Sequence, residues 1–201
     1  MICTYFERVA GWNAARYEQQ FDMNLAVRLL TEEYQEWCKA YYGMQTQVDA
    51  GAAHAIEMLD GIGDVSFVAL GVAWKAGIDF ETFEAALLRV QADTYSAACT
   101  MPQLHPMFLV ASVIDGFQYD NEIGIADSMA MIIHLCALEA KYHFSFGTDK
   151  YFEVLKAICD SNDSKVVKRA ASNVKANDGN KGDQYVPPTE ALRRLLLRGF
   201  N

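Results

Sequence analysis

Proline is scarce in this chain, with four among 201 residues at positions 102, 106, 187 and 188. None falls in the first hundred residues, so no ring interrupts a helix there. Cysteine is limited to five residues (Cys3, Cys38, Cys99, Cys136, Cys159), an odd number with no close pair. That excludes a disulfide framework and a thiolate zinc site, and fits buried free thiols in a reducing compartment. The longest apolar runs, Val65–Trp74 and Met107–Ile114, fall well short of the roughly 20 residues of a membrane-spanning helix. Residues Met1–Val9 carry Glu7 and Arg8 and lack the basic-then-apolar pattern of a secretory leader. Positive charge is also scarce. A net charge of −9 argues against a nucleic-acid polymer or an anionic membrane as partner. The expectation is a cytoplasmic protein without a membrane partner.

What remains is rich in Ala, Leu, Glu and Gln, which favour helix. No two-residue alternation lasts long enough to suggest a sheet. Asp22 is placed to cap a helix running to about Tyr42, with Gly43 as its stop. A second helix is expected over 52–76, closed by Gly77, and Asp79 caps a third over 80–98. Pro102 and Pro106 mark a break. Further helices are expected over 121–142 and 149–159, with a short one over 189–198. The fold class is therefore all-α. The reading is one domain over 1–201, with core helices over about 4–98 and 148–198 and an insertion over about 99–147.

Charge is unevenly divided. Residues 1–140 hold 6 Lys and Arg against 19 Asp and Glu, whereas residues 141–201 hold 11 against 7. The basic part includes a Ser-, Asn-, Gly- and Lys-rich stretch over 160–188 that reads as loop.

Two helices carry acids where helices seldom place them. In the first, Leu29 and Leu30 precede Glu33 by a turn and Trp37 follows it, so Glu33 lies on the apolar stripe, with Glu36 three residues on. Carboxylates belong there only when paired or bound to a metal. Glu32 points about 100° away, towards solvent. In the second helix Glu57, Asp60 and Asp64 stack along one face. No Lys or Arg lies between Lys39 and Lys75 to offset them. A divalent cation would relieve the repulsion, and an all-oxygen donor set suits Mg²⁺ or Mn²⁺. Gly61 and Gly63, between these acids, leave room for a close-packed helix or for phosphates. A di-iron carboxylate bundle would need Glu-x-x-His pairs, and none occurs. His54, one turn before Glu57, is near this face, while His105, His134 and His143 read as peripheral or core.

These residues resemble the MazG-like all-α nucleoside triphosphate pyrophosphohydrolases and their phosphoribosyl-ATP pyrophosphohydrolase relatives. The family pattern is E-x-x-E on one helix followed by E-x-x-D on the next, here Glu33-x-x-Glu36 and Glu57-x-x-Asp60. Phage-type members add an Asp four residues on, a glycine and a Gly-Ile-Asp turn, matched by Asp64, Gly71 and Gly77-Ile78-Asp79. They also carry Ser-Asn-x-Ser-Lys and a later Lys-Gly-x-x-Tyr-x-Pro-Pro. Here these are Ser161-Asn162-Asp163-Ser164-Lys165 and Lys181-Gly182-Asp183-Gln184-Tyr185-Val186-Pro187-Pro188. The resemblance covers about 21–98 and 151–190. Gly61 stands where the cellular branch has a further Glu.

The resemblance implies metal-dependent hydrolysis of a nucleoside triphosphate between the α and β phosphates, yielding a monophosphate and pyrophosphate. It implies more than one Mg²⁺ or Mn²⁺, held by Glu33, Glu36, Glu57, Asp60 and Asp64, with Glu33 or Glu36 as general base. Asn162, Lys165, Lys181 and Tyr185 would contact substrate. A purine deoxynucleotide, dGTP first, is the expected substrate, with dUTP, dCTP, phosphoribosyl-ATP or an alarmone as alternatives. A homodimer or homotetramer is expected, in the host cytoplasm if the chain is phage-encoded. The rival classes are a non-catalytic helical module that binds nucleotides and a helical scaffold that does neither.

Overall fold

A computed structural model describes residues 2–46, 51–98, 105–119, 124–165 and 181–199. It holds eight helices among these residues: α1 (Ile2–Ala14), α2 (Met23–Thr46), α3 (Gly51–Lys75), α4 (Phe80–Ala98), α5 (Pro106–Tyr119), α6 (Ile125–Phe144), α7 (Thr148–Asp163) and α8 (Thr189–Gly199). The described residues contain no strand, so the all-α class stands.

Helix α3 is the hub. It is apolar on nearly all sides, with Met58, Leu59, Ile62, Val65, Leu70 and Ala73 almost wholly enclosed, the pattern of a helix surrounded by others. Helices α1, α2, α6, α7 and α8 all pack on it. Close approach is possible because its glycines face different neighbours. A Cβ on Gly61 would lie 2.7 Å from Trp37 Cβ on α2, and one on Gly63 would collide with Ile158 on α7. One on Gly71 would lie 3.1 Å from Asn13 Nδ2 on α1. Of the two uses expected for Gly61 and Gly63, both serve helix packing.

Helices α2 and α3 form an antiparallel pair. His54 lies against Gly43, and Gly61 against Trp37, so a later position on one helix meets an earlier one on the other. Extending that register one turn places Glu33 and Glu36 of α2 beside the Asp60–Asp64 turn of α3.

The caps expected from the sequence are present. Asp22 Oδ1 accepts from the Leu25 amide at 3.1 Å, and Asp79 Oδ1 from the Thr82 amide at 2.8 Å. Gly77 adopts a φ of 75°, the left-handed conformation that ends α3. Other boundaries differ. Helix α2 runs through Gly43 to Thr46, because the missing Cβ serves the packing of His54 and not a stop. Helix α7 continues past Cys159 to Asp163, which puts Ser161 and Asn162 on a helix and not in the loop expected there. Pro106 opens α5, a helix the sequence reading omitted, since proline is well tolerated in a first turn. Helix α6 starts at Ile125, and the expected start at Asn121 lies outside the described residues. So do Cys99, Pro102 and most of the basic loop, residues 166–180.

The C-terminal segment is part of the core. Leu192, Leu195 and Leu196 of α8 are buried, and α8 packs on α3 and α7. The cysteines among the described residues, Cys3, Cys38, Cys136 and Cys159, are unpaired. No helix among the described residues is long and apolar enough to cross a membrane.

Candidate carboxylate site between α2, α3 and the end of α7

The apolar stripe of α2 carries Glu33 inward between Leu30 and Trp37, and the residue is only 7% exposed. Glu36 lies on the outer side of the same helix and is exposed. On α3, Asp60 and Asp64 are partly buried, and Asp60 Oδ1 is enclosed without a hydrogen-bond partner. Glu57 sits at the rim with its side chain 62% exposed, its Oε2 2.9 Å from His54 Nδ1.

Electrostatics show that the acids share one locus. Burial, then Glu33, Glu36 and Glu57, push the Asp60 carboxyl up to about 6, against a lowering pull from Lys165. Burial, then Asp60 and Glu33, push Asp64 well above the ordinary carboxylate range, with Lys165 again opposing and Glu36 adding. Four carboxyls from two helices therefore act on one another electrostatically, with Glu57 adding to Asp60 and Lys165 opposing at both aspartates, but no three of them bring carboxylate oxygens within 4.8 Å of one another.

Lys165 is held there by its own chain. Its Nζ donates to Asn162 Oδ1 at 2.8 Å, while Asn162 Nδ2 donates to the Ile158 carbonyl at 3.1 Å. Asn162 is 5% exposed, so its orientation is set by packing as well as by these bonds. The end of α1 secures the segment from the other side. Trp12 Nε1 donates to the Asn162 carbonyl at 2.9 Å and Arg16 Nη2 to the Lys165 carbonyl at 3.0 Å, with the Arg16 guanidinium over the Trp12 ring. Trp12 and Asn13 are thus structural members. Asn13 is buried and donates to the Val9 carbonyl, and Phe21 packs edge-on against Phe117.

The two distant C-terminal segments meet. Ser161 Oγ lies 3.5 Å from the Tyr185 hydroxyl, and the Val186 amide donates to Ser164 Oγ at 2.9 Å. Lys181 stands over the Tyr185 ring, 5.3 Å from its centroid. Asn162, Lys165 and Tyr185 therefore form one continuous piece of structure. Lys165 reaches the acids electrostatically, and Lys181 is tied to Tyr185.

One group of chemically capable residues escaped the sequence reading. His105, just before α5, meets Glu139 and His143 of α6. The signal was available: Glu139 falls a turn after Leu135 and Cys136 on a buried stripe, the same argument that singled out Glu33.

Comparison with known protein families, with curated proteins and with solved structures gives no match to this chain.

Proposed function

We propose that this chain is a metal-dependent nucleotide pyrophosphohydrolase of the MazG-like type, cleaving a nucleoside triphosphate between its α and β phosphates. The observation that carries the proposal is the convergence of Glu33, Glu36, Asp60 and Asp64 at one locus, with Asp60 Oδ1 enclosed and unpartnered. Carboxylates that raise one another in this way are stabilised in their charged form by cations drawn among them, and an all-carboxylate set fits Mg²⁺ or Mn²⁺. Glu33, Glu36, Asp60 and Asp64 would hold the ions, and Glu57 would contribute from the rim.

When bound, such ions neutralise the phosphate chain and make the attacking water more acidic. Glu33 or Glu36 accepts the proton as the water oxygen bonds to the α-phosphorus. The bond to the bridging oxygen breaks, and pyrophosphate leaves with its electron pair. Lys165, oriented by Asn162, places a cation where the phosphate chain passes the acids. Tyr185 and Lys181, joined to α7 through Ser161 and Ser164, close the same side. By the resemblance, a purine deoxynucleotide is the substrate, dGTP first, and the enzyme is a homodimer or homotetramer.

The test is a panel of common NTPs and dNTPs with Mg²⁺ or Mn²⁺, monitored for monophosphate and pyrophosphate together. Both products should appear from at least one nucleotide, and Glu33→Gln should abolish them with the helical content unchanged. If no nucleotide yields a monophosphate, the hydrolase reading is abandoned. Binding without turnover would favour a nucleotide-binding module, and neither would favour a scaffold.

A further inference from the structure

Where the start of α5 meets the end of α6, three side chains form a group that the carboxylate site does not use. His105 Nε2 lies 2.9 Å from His143 Nε2. His143 Nε2 is 3.1 Å from Glu139 Oε1, and His105 Nδ1 is 3.3 Å from Glu139 Oε2. One ligand atom from each residue falls within 4.8 Å of the other two. We propose that His105, Glu139 and His143 bind one divalent first-row transition ion, Zn²⁺ in the first instance, which staples the start of α5 to the end of α6.

Glu139 is 0% exposed, on the core side of α6. Neither of its oxygens, nor His105 Nδ1, has a hydrogen-bond partner. The histidine nitrogens are within ion-pair distance of the carboxylate yet miss hydrogen-bonding geometry. A carboxylate removed from water and left without donors needs a cation close by. Among the described residues, no Lys or Arg ion pair with Glu139 offsets the charge.

The chemistry of the set then selects the ion. Two neutral imidazoles and one carboxylate form a borderline donor set that suits zinc and its neighbours, in contrast to the all-oxygen set between α2 and α3. Ligands about 2.0–2.1 Å from one ion must be about 2.9–3.4 Å from each other in octahedral or tetrahedral geometry. With His143 Nε2 as the shared donor, His105 Nε2 at 2.9 Å and Glu139 Oε1 at 3.1 Å fall in that range, and the set with one atom from each residue lies within 4.8 Å. Three protein ligands leave a further position for water.

The surroundings favour an ion that is retained but exchangeable. The side chains of His105 and His143 are 14% and 11% exposed. Tyr41 of α2 packs edge-on against both imidazoles, with ring centroids 5.3 and 5.4 Å away. Phe108 and Tyr142 flank His105. Glu139 and His143 are one helical turn apart, whereas His105 stands just before α5, so an ion here ties the start of α5 to the end of α6.

The test uses the full chain, stripped of metal and titrated with Zn²⁺, and with Co²⁺ as a spectroscopic probe, in millimolar Mg²⁺ to occupy the all-oxygen site. One equivalent of Zn²⁺ should bind with a dissociation constant below micromolar, Co²⁺ should give visible d–d bands, and Zn²⁺ should raise the melting temperature. His105→Gln should weaken Zn²⁺ binding by 100-fold or more and remove the bands. Asp60→Asn and His134→Gln should leave both unchanged, which separates this site from the carboxylate cluster and from incidental histidine binding. If the wild-type chain binds less than one equivalent under these conditions, or if His105→Gln binds as the wild type does, the proposal is wrong. The wild-type titration decides the matter even if a variant fails to fold. None of these readouts depends on hydrolysis.

Discussion

Gly61 of α3 rests against Trp37 of α2, so closely that a methyl group on Gly61 would lie 2.7 Å from Trp37 Cβ and 2.8 Å from its Cα. That contact sets the separation of the two helices that carry the acids. Gly61→Ala gains about 1 kcal/mol of helix propensity. It also drives a methyl into atoms next to and within the backbone, which cannot swing aside. The expected outcome is a net loss of about 1–3 kcal/mol in stability, measured by denaturant unfolding, together with weaker Mg²⁺ binding as the helices part.

Under the proposed function, Asp60 is where stability and activity should part. Its enclosed oxygen has no partner and its neighbours are anionic. Asp60→Asn removes charge from that environment. The metal-free variant should be as stable as the wild type or more stable, by about 1–2 kcal/mol, while nucleotide hydrolysis falls at least 100-fold. A variant that loses stability and activity together would identify Asp60 as a structural residue.

The same carboxyl fixes a pH dependence. Its folded-state value of about 6 lies above the 3.8 of an unperturbed Asp, so between these values the folded chain binds more protons than the unfolded one. The stabilising contribution of the protonated carboxyl is therefore complete below about pH 3.8 and is lost as pH rises through about 6. Metal-free protein should lose about 1–2 kcal/mol from this group between pH 4 and 7, and saturating Mg²⁺ should remove much of that loss. Urea titrations at several pH values in EDTA and in Mg²⁺ would measure both.

Lys165 is the cation acting on both aspartates, and Asn162 orients it. Under the proposed function, replacing it by Met removes one charged contact to the phosphate chain, worth about 1.5–3 kcal/mol. KM for the nucleotide should rise by about 10- to 100-fold, with kcat lowered as well if the contact strengthens in the transition state. Asn162→Ala should move steady-state kinetics in the same direction, because it releases the same amine. An unchanged KM in both variants would remove the α7 segment from the substrate side.

The ion pairs of Arg8 test how α1 is secured. Arg8 donates to Asp163 at 2.8 Å and to Asp160 at 2.7 Å, joining α1 to α7 next to the Lys165 segment. The groups are partly exposed, so Arg8→Ala should cost only about 1 kcal/mol by thermal melting. Burial raises the Asp160 carboxyl, but the bonds from Lys156 and Arg8 outweigh it and hold the group below its ordinary value. That contribution is accordingly present at neutral pH and lost in acid.

The helical class, the caps at Asp22 and Asp79, the stop at Gly77 and the acid-bearing stripe of α2 are legible in the sequence, because each depends on residues within a turn or two of one another. Glu33 is conspicuous because it breaks an apolar stripe, and Asp60 and Asp64 because nothing local offsets them. Gly43 and Pro106 mislead for the opposite reason. Each has a strong local preference, but the packing of His54 and the tolerance of a first helical turn determined their roles. Three-dimensional relations were beyond local reading. That Gly61 faces α2 while Gly63 faces α7, that Lys165 reaches acids a hundred residues away, and that Ser161 meets Tyr185 all follow from how the helices pack on α3. The association of His105 with Glu139 and His143 belongs to the same class. A sequence specifies which side chains lie on one helical face, because 3.6 residues per turn fixes it. Which faces meet is decided by the burial of α3 on every side, and that is a property of the assembled core.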